Sequence, residues 1–172
     1  GNAIEEFSAA VQAHLRKEKL QLTAVGVRVL ASGTSFQRHQ IIDEVFLSEL
    51  RAKESTAPLH IPVTINELQR CKVFFPRTPL VSVSDTAFFS SLPAVAREYS
   101  LSRKDAKQYD LHKFGYHGRS VASVVDRIHA ILGRDPERVV VCHIGSGISV
   151  TGLLHGRAVY TSAGYMSLSS VP

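Results

Sequence analysis

Ile4, Phe7, Val11 and Leu15 recur at helical spacing behind Asn2 and Glu5, a capping-box pair, and predict an amphipathic helix that ends near Lys19. Residues 22–30 are rich in valine and read as a strand with Arg28 inside it, broken at Ser32-Gly33. Ile42, Val45, Phe46 and Leu50 mark a second short helix, and Thr64 with Glu67 predicts the cap of a third beyond the Pro58 to Pro62 loop. Leu80 to Ser84 is a buried-type strand ending at Asp85, and polar residues 100–113 run over the surface as a loop or short helix. The strongest helical signal starts at Ser120, where Val121, Val124, Val125, Ile128, Ile131 and Leu132 share one face and Gly133 closes the helix before Pro136. Residues 139–144, 148–154 and 157–161 then read as strands joined by Gly145-Ser146-Gly147 and His155-Gly156. The change from mixed helix and strand to a β-meander places a domain boundary near Asp135.

At 172 residues and 44% hydrophobic content, the chain can bury a sizeable core. Its net charge of +5 suits phosphate-bearing partners, while the lack of a Lys/Arg run or aromatic-basic interleaving argues against nucleic acid. The least charged stretch, residues 139–156, holds Gly145, Ser146, Gly147 and Gly152, which argues against a membrane span. Cys71 and Cys142 form no CxxC pair, and the first residues lack the basic-then-apolar order of a signal peptide, so a reducing cytoplasm is the expected compartment. Of the charged residues, only Arg157 lies beyond position 138. Such a tail needs cover on both faces, and the expectation is a fragment of something longer.

Three segments carry candidate chemistry. Gly145 and Gly147 flank a turn between strands, where backbone N–H groups can approach an anion, with His143 beside it; an ordinary hairpin turn would look the same. Phe114-Gly115-Tyr116-His117-Gly118-Arg119-Ser120 sets a histidine between glycines at a helix N-terminus, suited to stabilising negative charge, or else is a loop histidine with Ser120 as N-cap. Asp85 follows a strand directly, where ligands gather in open α/β sheets; it could hold magnesium, orient a reacting group, or simply cap a helix starting at Thr86. Arg28 could pair with that carboxylate or offer its planar donors to a carboxylate or phosphate ligand.

Taken together, these segments resemble the acetate kinase family in order and spacing. Residues 24–33 (Ala-Val-Gly-Val-Arg-Val-Leu-Ala-Ser-Gly) look like its Gly-His-Arg-Val-Val-His-Gly-Gly strand, and Ala57-Pro58-Leu59-His60-Ile61-Pro62 looks like its Ala-Pro-Leu-His-Asn-Pro loop. Val83-Ser84-Asp85-Thr86-Ala87-Phe88 is similar to Phe-Asp-Thr-Ala-Phe, and the segment around His117 to Tyr-Gly-Phe-His-Gly-Thr-Ser. His143-Ile144-Gly145-Ser146-Gly147-Ile148-Ser149 resembles His-Leu-Gly-Asn-Gly-Ala-Ser, and Thr161-Ser162-Ala163-Gly164-Tyr165 resembles Thr-Ser-Met-Gly-Phe.

The resemblance implies an incomplete α/β fold of the ribonuclease H-like superfamily, a mixed sheet flanked by helices, with residues 1–137 as most of the family's N-terminal domain and 138–172 as the first strands of its nucleotide-binding domain. It implies transfer of the γ-phosphoryl group of ATP to acetate with Mg2+ or Mn2+, and a homodimer when intact. On this reading Arg28, Asp85 and His117 are catalytic, with Asp85 also the metal residue. Arg28, Val29, Leu30, Leu59 and Tyr116 take the carboxylate substrate, and His143, Gly145, Ser146 and Gly147 line the nucleotide phosphates.

Departures from the family pattern are Val27 and Ala31 for histidines, Ile61 and Ser146 for asparagines, Val121 for a histidine, Tyr160 for an aspartate and Ser167 for a pocket proline. The family's N-terminal phosphate strand, its second arginine block and its adenosine motif have no counterpart in the chain. Propionate or butyrate kinase, and an inert anion- or partner-binding remnant, are the alternatives.

Overall fold

The computed structural model describes residues 3–164 and divides them into two compact units that do not follow chain order: residues 3–29 with 39–83, and residues 30–38 with 84–164. Asn2, Tyr165 and Ser167, named above, lie outside the described residues. The architecture is mixed α/β.

In the first unit, helix α1 (Ala3–Glu18) leads into strand β1 (Val25–Val29), shorter at both ends than the valine-rich stretch suggests. Strands β2 (Gln40–Ile41) and β3 (Leu80–Ser84) complete a sheet of order β1-β3-β2, in which β2 runs antiparallel to β3. Helix α2 (Glu44–Ala52) starts where Asp43 accepts a hydrogen bond from the Phe46 N–H, and buries Phe46, Leu47 and Leu50. Helix α3 (Ile61–Phe74) packs against both α1 and α2. It begins three residues before Thr64, with Pro62 in its first turn, so the Thr64–Glu67 cap is not its start; the Thr64 hydroxyl instead donates back to the His60 carbonyl. In α1 the buried row runs through Ser8 rather than Phe7, which is 67% exposed, and Gln12 donates to the Phe74 carbonyl at 2.7 Å.

The second unit is built on the predicted meander. Strands β4 (Arg138–Ile144), β5 (Ile148–Leu154) and β6 (Arg157–Thr161) pair antiparallel, with His143 opposite Ser149 and Ile144 opposite Ile148. The second hairpin turns through His155 and Gly156, both at positive φ, the geometry that matches strand twist. Helix α6 (Gly118–Leu132) packs on β4, and Val121 joins Phe89, Leu92, Val141, Leu153 and Ala158 in one core. Gly133 ends α6 at φ 66° as expected. The short helix α5 (Arg103–Gln108) occupies the polar stretch before it, and α4 (Ala94–Arg97) precedes that stretch. The other face of the meander is apolar yet exposed, at Val140, Ile144 and Ile148, so the meander itself is covered on one side only.

Candidate active site

The site of the second unit is assembled from two loops that their glycines allow to touch. At the end of β3, the Ser84 and Thr86 hydroxyls both donate to the Phe36 carbonyl, which fixes the turn carrying Asp85. Asp85 is fully buried. Its carboxylate accepts the His117 N–H at 2.7 Å, and its carbonyl accepts the Gly118 N–H at 3.1 Å. Asp85 therefore caps α6 from outside the helix, satisfying donors that the helix itself cannot. It does not cap a helix at Thr86: the 3-10 turn Ala87–Phe89 that follows carries no side-chain cap.

Gly118 is required by this approach, because a Cβ there would lie 2.2 Å from the Asp85 carbonyl oxygen and 2.9 Å from the Phe88 Cβ. Gly115, at φ 73°, would place a Cβ 2.2 Å from the Phe89 ring. Between them His117 sits in the left-handed region at φ 62° and occupies the N-cap position without a side-chain cap bond. Its ring reaches the β4–β5 hairpin instead, where Nδ1 lies 2.9 Å from the Ser149 hydroxyl.

His143 on β4 stacks on that ring, with centroids 4.0 Å apart and planes 22° from parallel, and its own Nδ1 lies 3.0 Å from the Ser120 hydroxyl. Ser120 therefore serves His143 and is not the N-cap. The turn closes through a 3.1 Å bond from the Gly145 N–H to the Gly147 carbonyl. A Cβ on Gly147 would lie 3.0 Å from His117 Nε2, so this glycine leaves room for the imidazole edge, whereas one on Gly145 would make ordinary contact with His143 Nε2 at 3.4 Å. Ser146, at the tip, is exposed.

Asp85, His117, His143, Gly145, Ser146 and Gly147 thus meet in one unit. Tyr116 is buried in the same unit at 2% exposure, and Leu30 is half-buried. In the other unit, Arg28 lies on the exposed side of β1, so no desolvation penalty explains it, while Val29 is buried and Leu59 is 83% exposed. The residues that sequence reasoning missed are the two serines. The signal for Ser149 was its hairpin position opposite His143, and for Ser120 its place one helical turn after His117. Tyr160 has a local role: the Lys113 ammonium lies 5.6 Å over its ring.

The chain matches the model of the Acetokinase family over residues 1–171. It is 36% identical to the acetate kinase of Heliobacterium modesticaldum over 153 residues, 88% of this chain and 38% of that protein. Against the acetate kinase of Acetivibrio thermocellus it is 35% identical over 157 residues, covering 90% and 39%. Among solved structures, a propionate kinase from Francisella tularensis superposes with a TM-score of 0.80 at 30% identity, covering 92% of this chain and 42% of that one. The acetate kinase of Entamoeba histolytica superposes with a TM-score of 0.78 at 27% identity, covering 95% and 43%. The chain spans about two fifths of the length of the relatives it matches.

Proposed function

The chain belongs to the acetokinase family, and on that premise we propose that the protein transfers the γ-phosphoryl group of ATP to acetate, reversibly, giving acetyl phosphate and ADP. A carboxylate oxygen forms the new P–O bond as the bond to the β-phosphate oxygen breaks. Two anions must meet, and charge must be spread over the group in flight, so positioning and electrostatics carry such a reaction. The observation that carries the reading is the stacked His117–His143 pair at the Gly145–Gly147 turn, with Asp85 holding the loop from which His117 projects.

In this proposal His117 donates a hydrogen bond to the transferring phosphoryl oxygens. His143 and the Gly145, Ser146, Gly147 turn line the nucleotide phosphates. Arg28 holds the carboxylate, and Val29, Leu30, Leu59 and Tyr116 take its methyl group. Residues 1–137 belong to the N-terminal domain of the intact enzyme and 138–172 to the opening strands of the nucleotide domain. The intact protein is read as a cytoplasmic homodimer that binds neither nucleic acid nor membrane. Among the described residues, no helix is long and apolar enough to cross a membrane.

The family implies a divalent metal, which we take to be Mg2+ or Mn2+. Among the described residues no three His, Cys, Asp or Glu side chains group as a metal site. Asp85 is the hard oxygen donor at the site, and a single carboxylate suits an ion that keeps water and nucleotide phosphates as its other ligands. When bound, such an ion neutralises phosphate charge.

Propionate is the second reading, favoured by the superposition on the Francisella propionate kinase. The test is to incubate the full-length protein with ATP, magnesium and acetate, propionate or butyrate, and trap acyl phosphate with hydroxylamine. Hydroxamate from acetate above the other two supports the proposal; preference for propionate selects the second reading, and none from any acid overturns both.

A further inference from the structure

We propose that Ser149 is a positioning residue for phosphoryl transfer, its hydroxyl fixing the ring of His117 so that Nε2–H is the donor facing the Gly145–Gly147 turn, and that Ser120 does the same for His143. The inference rests on the function proposed above and adds residues to it. Ser149 is 1% exposed, on the second strand of the hairpin, and its Oγ lies 2.9 Å from His117 Nδ1. Ser120 Oγ lies 3.0 Å from His143 Nδ1. Both rings are thus held at the same nitrogen by the same kind of group, and their faces are held by each other at 4.0 Å. The opposite edge of each ring, Nε2, is turned to the Gly145–Gly147 turn, where the absence of a Cβ on Gly147 makes room for that of His117.

The choice of a hydroxyl matters. A neutral imidazole carries one proton, and the partner of one nitrogen decides which nitrogen keeps it. When the Ser149 hydroxyl donates to Nδ1, the proton resides on Nε2. When the ring gains a second proton, Nδ1–H donates and the same hydroxyl, rotated, accepts. Nε2–H is therefore a donor in both states, so the ring can meet a phosphoryl group whose charge changes during transfer without turning over. A carboxylate in place of Ser149 could only accept, and would keep the proton of the neutral ring on Nδ1, leaving Nε2 without one. A buried serine leaves both states open.

The test is made on the full-length protein with 15N-labelled histidine, the His117 ring being assigned by its loss in His117→Gln. Above the ring's titration, the wild type should show the proton on Nε2 as the dominant neutral tautomer. Ser149→Ala should give a mixture of tautomers and lower kcat about tenfold to a hundredfold, the range known for losing the hydrogen-bond partner of a metal-ligating histidine, with the carboxylate KM within about twofold. Ser149→Thr, which keeps the hydroxyl, should restore both. If Ser149→Ala does not fold, judged by its thermal melt, Ser149→Cys of similar size and weaker hydrogen bonding replaces it. An unchanged tautomer in the variant overturns the positioning role. A changed tautomer with unchanged kcat would show that Ser149 orients the ring, but would overturn both its role in phosphoryl transfer and the assignment of His117 to that step.

Discussion

The imidazole rings of His117 and His143 lie face to face, 4.0 Å apart and 22° from parallel, although one belongs to a helix N-terminus and the other to a strand. The turn beyond them comes closest to the pair at Gly147. A methyl group on Gly147 would meet His117 Nε2 at 3.0 Å and Cε1 at 3.2 Å, while one on Gly145 would make ordinary contact with His143 at 3.4 Å. Gly147→Ala should therefore push the His117 ring by a few tenths of an ångström and lower kcat/KM about tenfold, with little loss of thermal stability. Gly145→Ala should be milder on both counts. Steady-state kinetics beside a melt for each variant check the order.

Asp85 gives a second prediction, because its carboxylate has a structural task that an amide can share. Asn at this position still offers an oxygen to the His117 N–H, whereas Ala leaves that donor without its acceptor. Asp85→Ala should cost about 1–3 kcal/mol of stability in denaturant melts. Asp85→Asn should keep most of the stability. If Asp85 also organises the nucleotide's metal, Asn should still lose activity by about 100-fold or more, since the charge is gone. Retained activity in Asp85→Asn would reduce the residue to a helix cap.

The glycines of the His117 loop are predicted to differ from an ordinary helix-ending glycine. Gly118→Ala and Gly115→Ala drive a Cβ to 2.2 Å from a carbonyl oxygen and from the Phe89 ring, respectively, and should each cost about 2–3 kcal/mol or prevent folding. Gly133 also has positive φ, but its surroundings are open, so Gly133→Ala should cost only about 1 kcal/mol. Urea melts of the three variants give the comparison.

These contrasts also explain how much of the molecule was legible in its sequence. The meander strands fall within a residue of expectation, because apolar clustering and glycine turns are local signals. The apolar face and C-cap of α6 were legible for the same reason. Its start was not: the first helical residue is Gly118 rather than a residue after Ser120, since the capping groups come from Asp85, far away in sequence. The start of α3 at Ile61 was missed because Pro62 opens the helix and Thr64–Glu67 only imitates a capping box. In the site, His117, His143 and Asp85 stand out by residue type and setting. Ser149 and Ser120 do not, because a serine becomes informative only when the fold places it against an imidazole. The exposure of Phe7 was equally invisible, as helical spacing specifies a face but not what covers it.

His112 supplies a pH dependence. Burial pushes its pKa below the ordinary histidine value near 6.5, the side chain being 13% exposed beside the Phe114 ring, and Asp110 at 3.4 Å offsets this only in part. The unfolded chain then binds the proton more readily than the folded one, so stability should fall as pH drops through about 6.5 and level off below the folded value. His112→Gln should flatten that part of the profile in chemical denaturation between about pH 7.5 and 5.5, the range that brackets the ordinary titration. An identical profile in the variant would show that the dependence lies elsewhere.

The most direct measurement is the kinetics of His117→Ala in the full-length protein, read beside its thermal melt. If His117 donates to the phosphoryl group in flight, kcat should fall about 100-fold or more, equivalent to about 2.7 kcal/mol of transition-state stabilisation, with the carboxylate KM little changed. Turnover near normal with a lowered melting temperature would contradict the account, reducing the stacked histidines to packing between a helix and a hairpin.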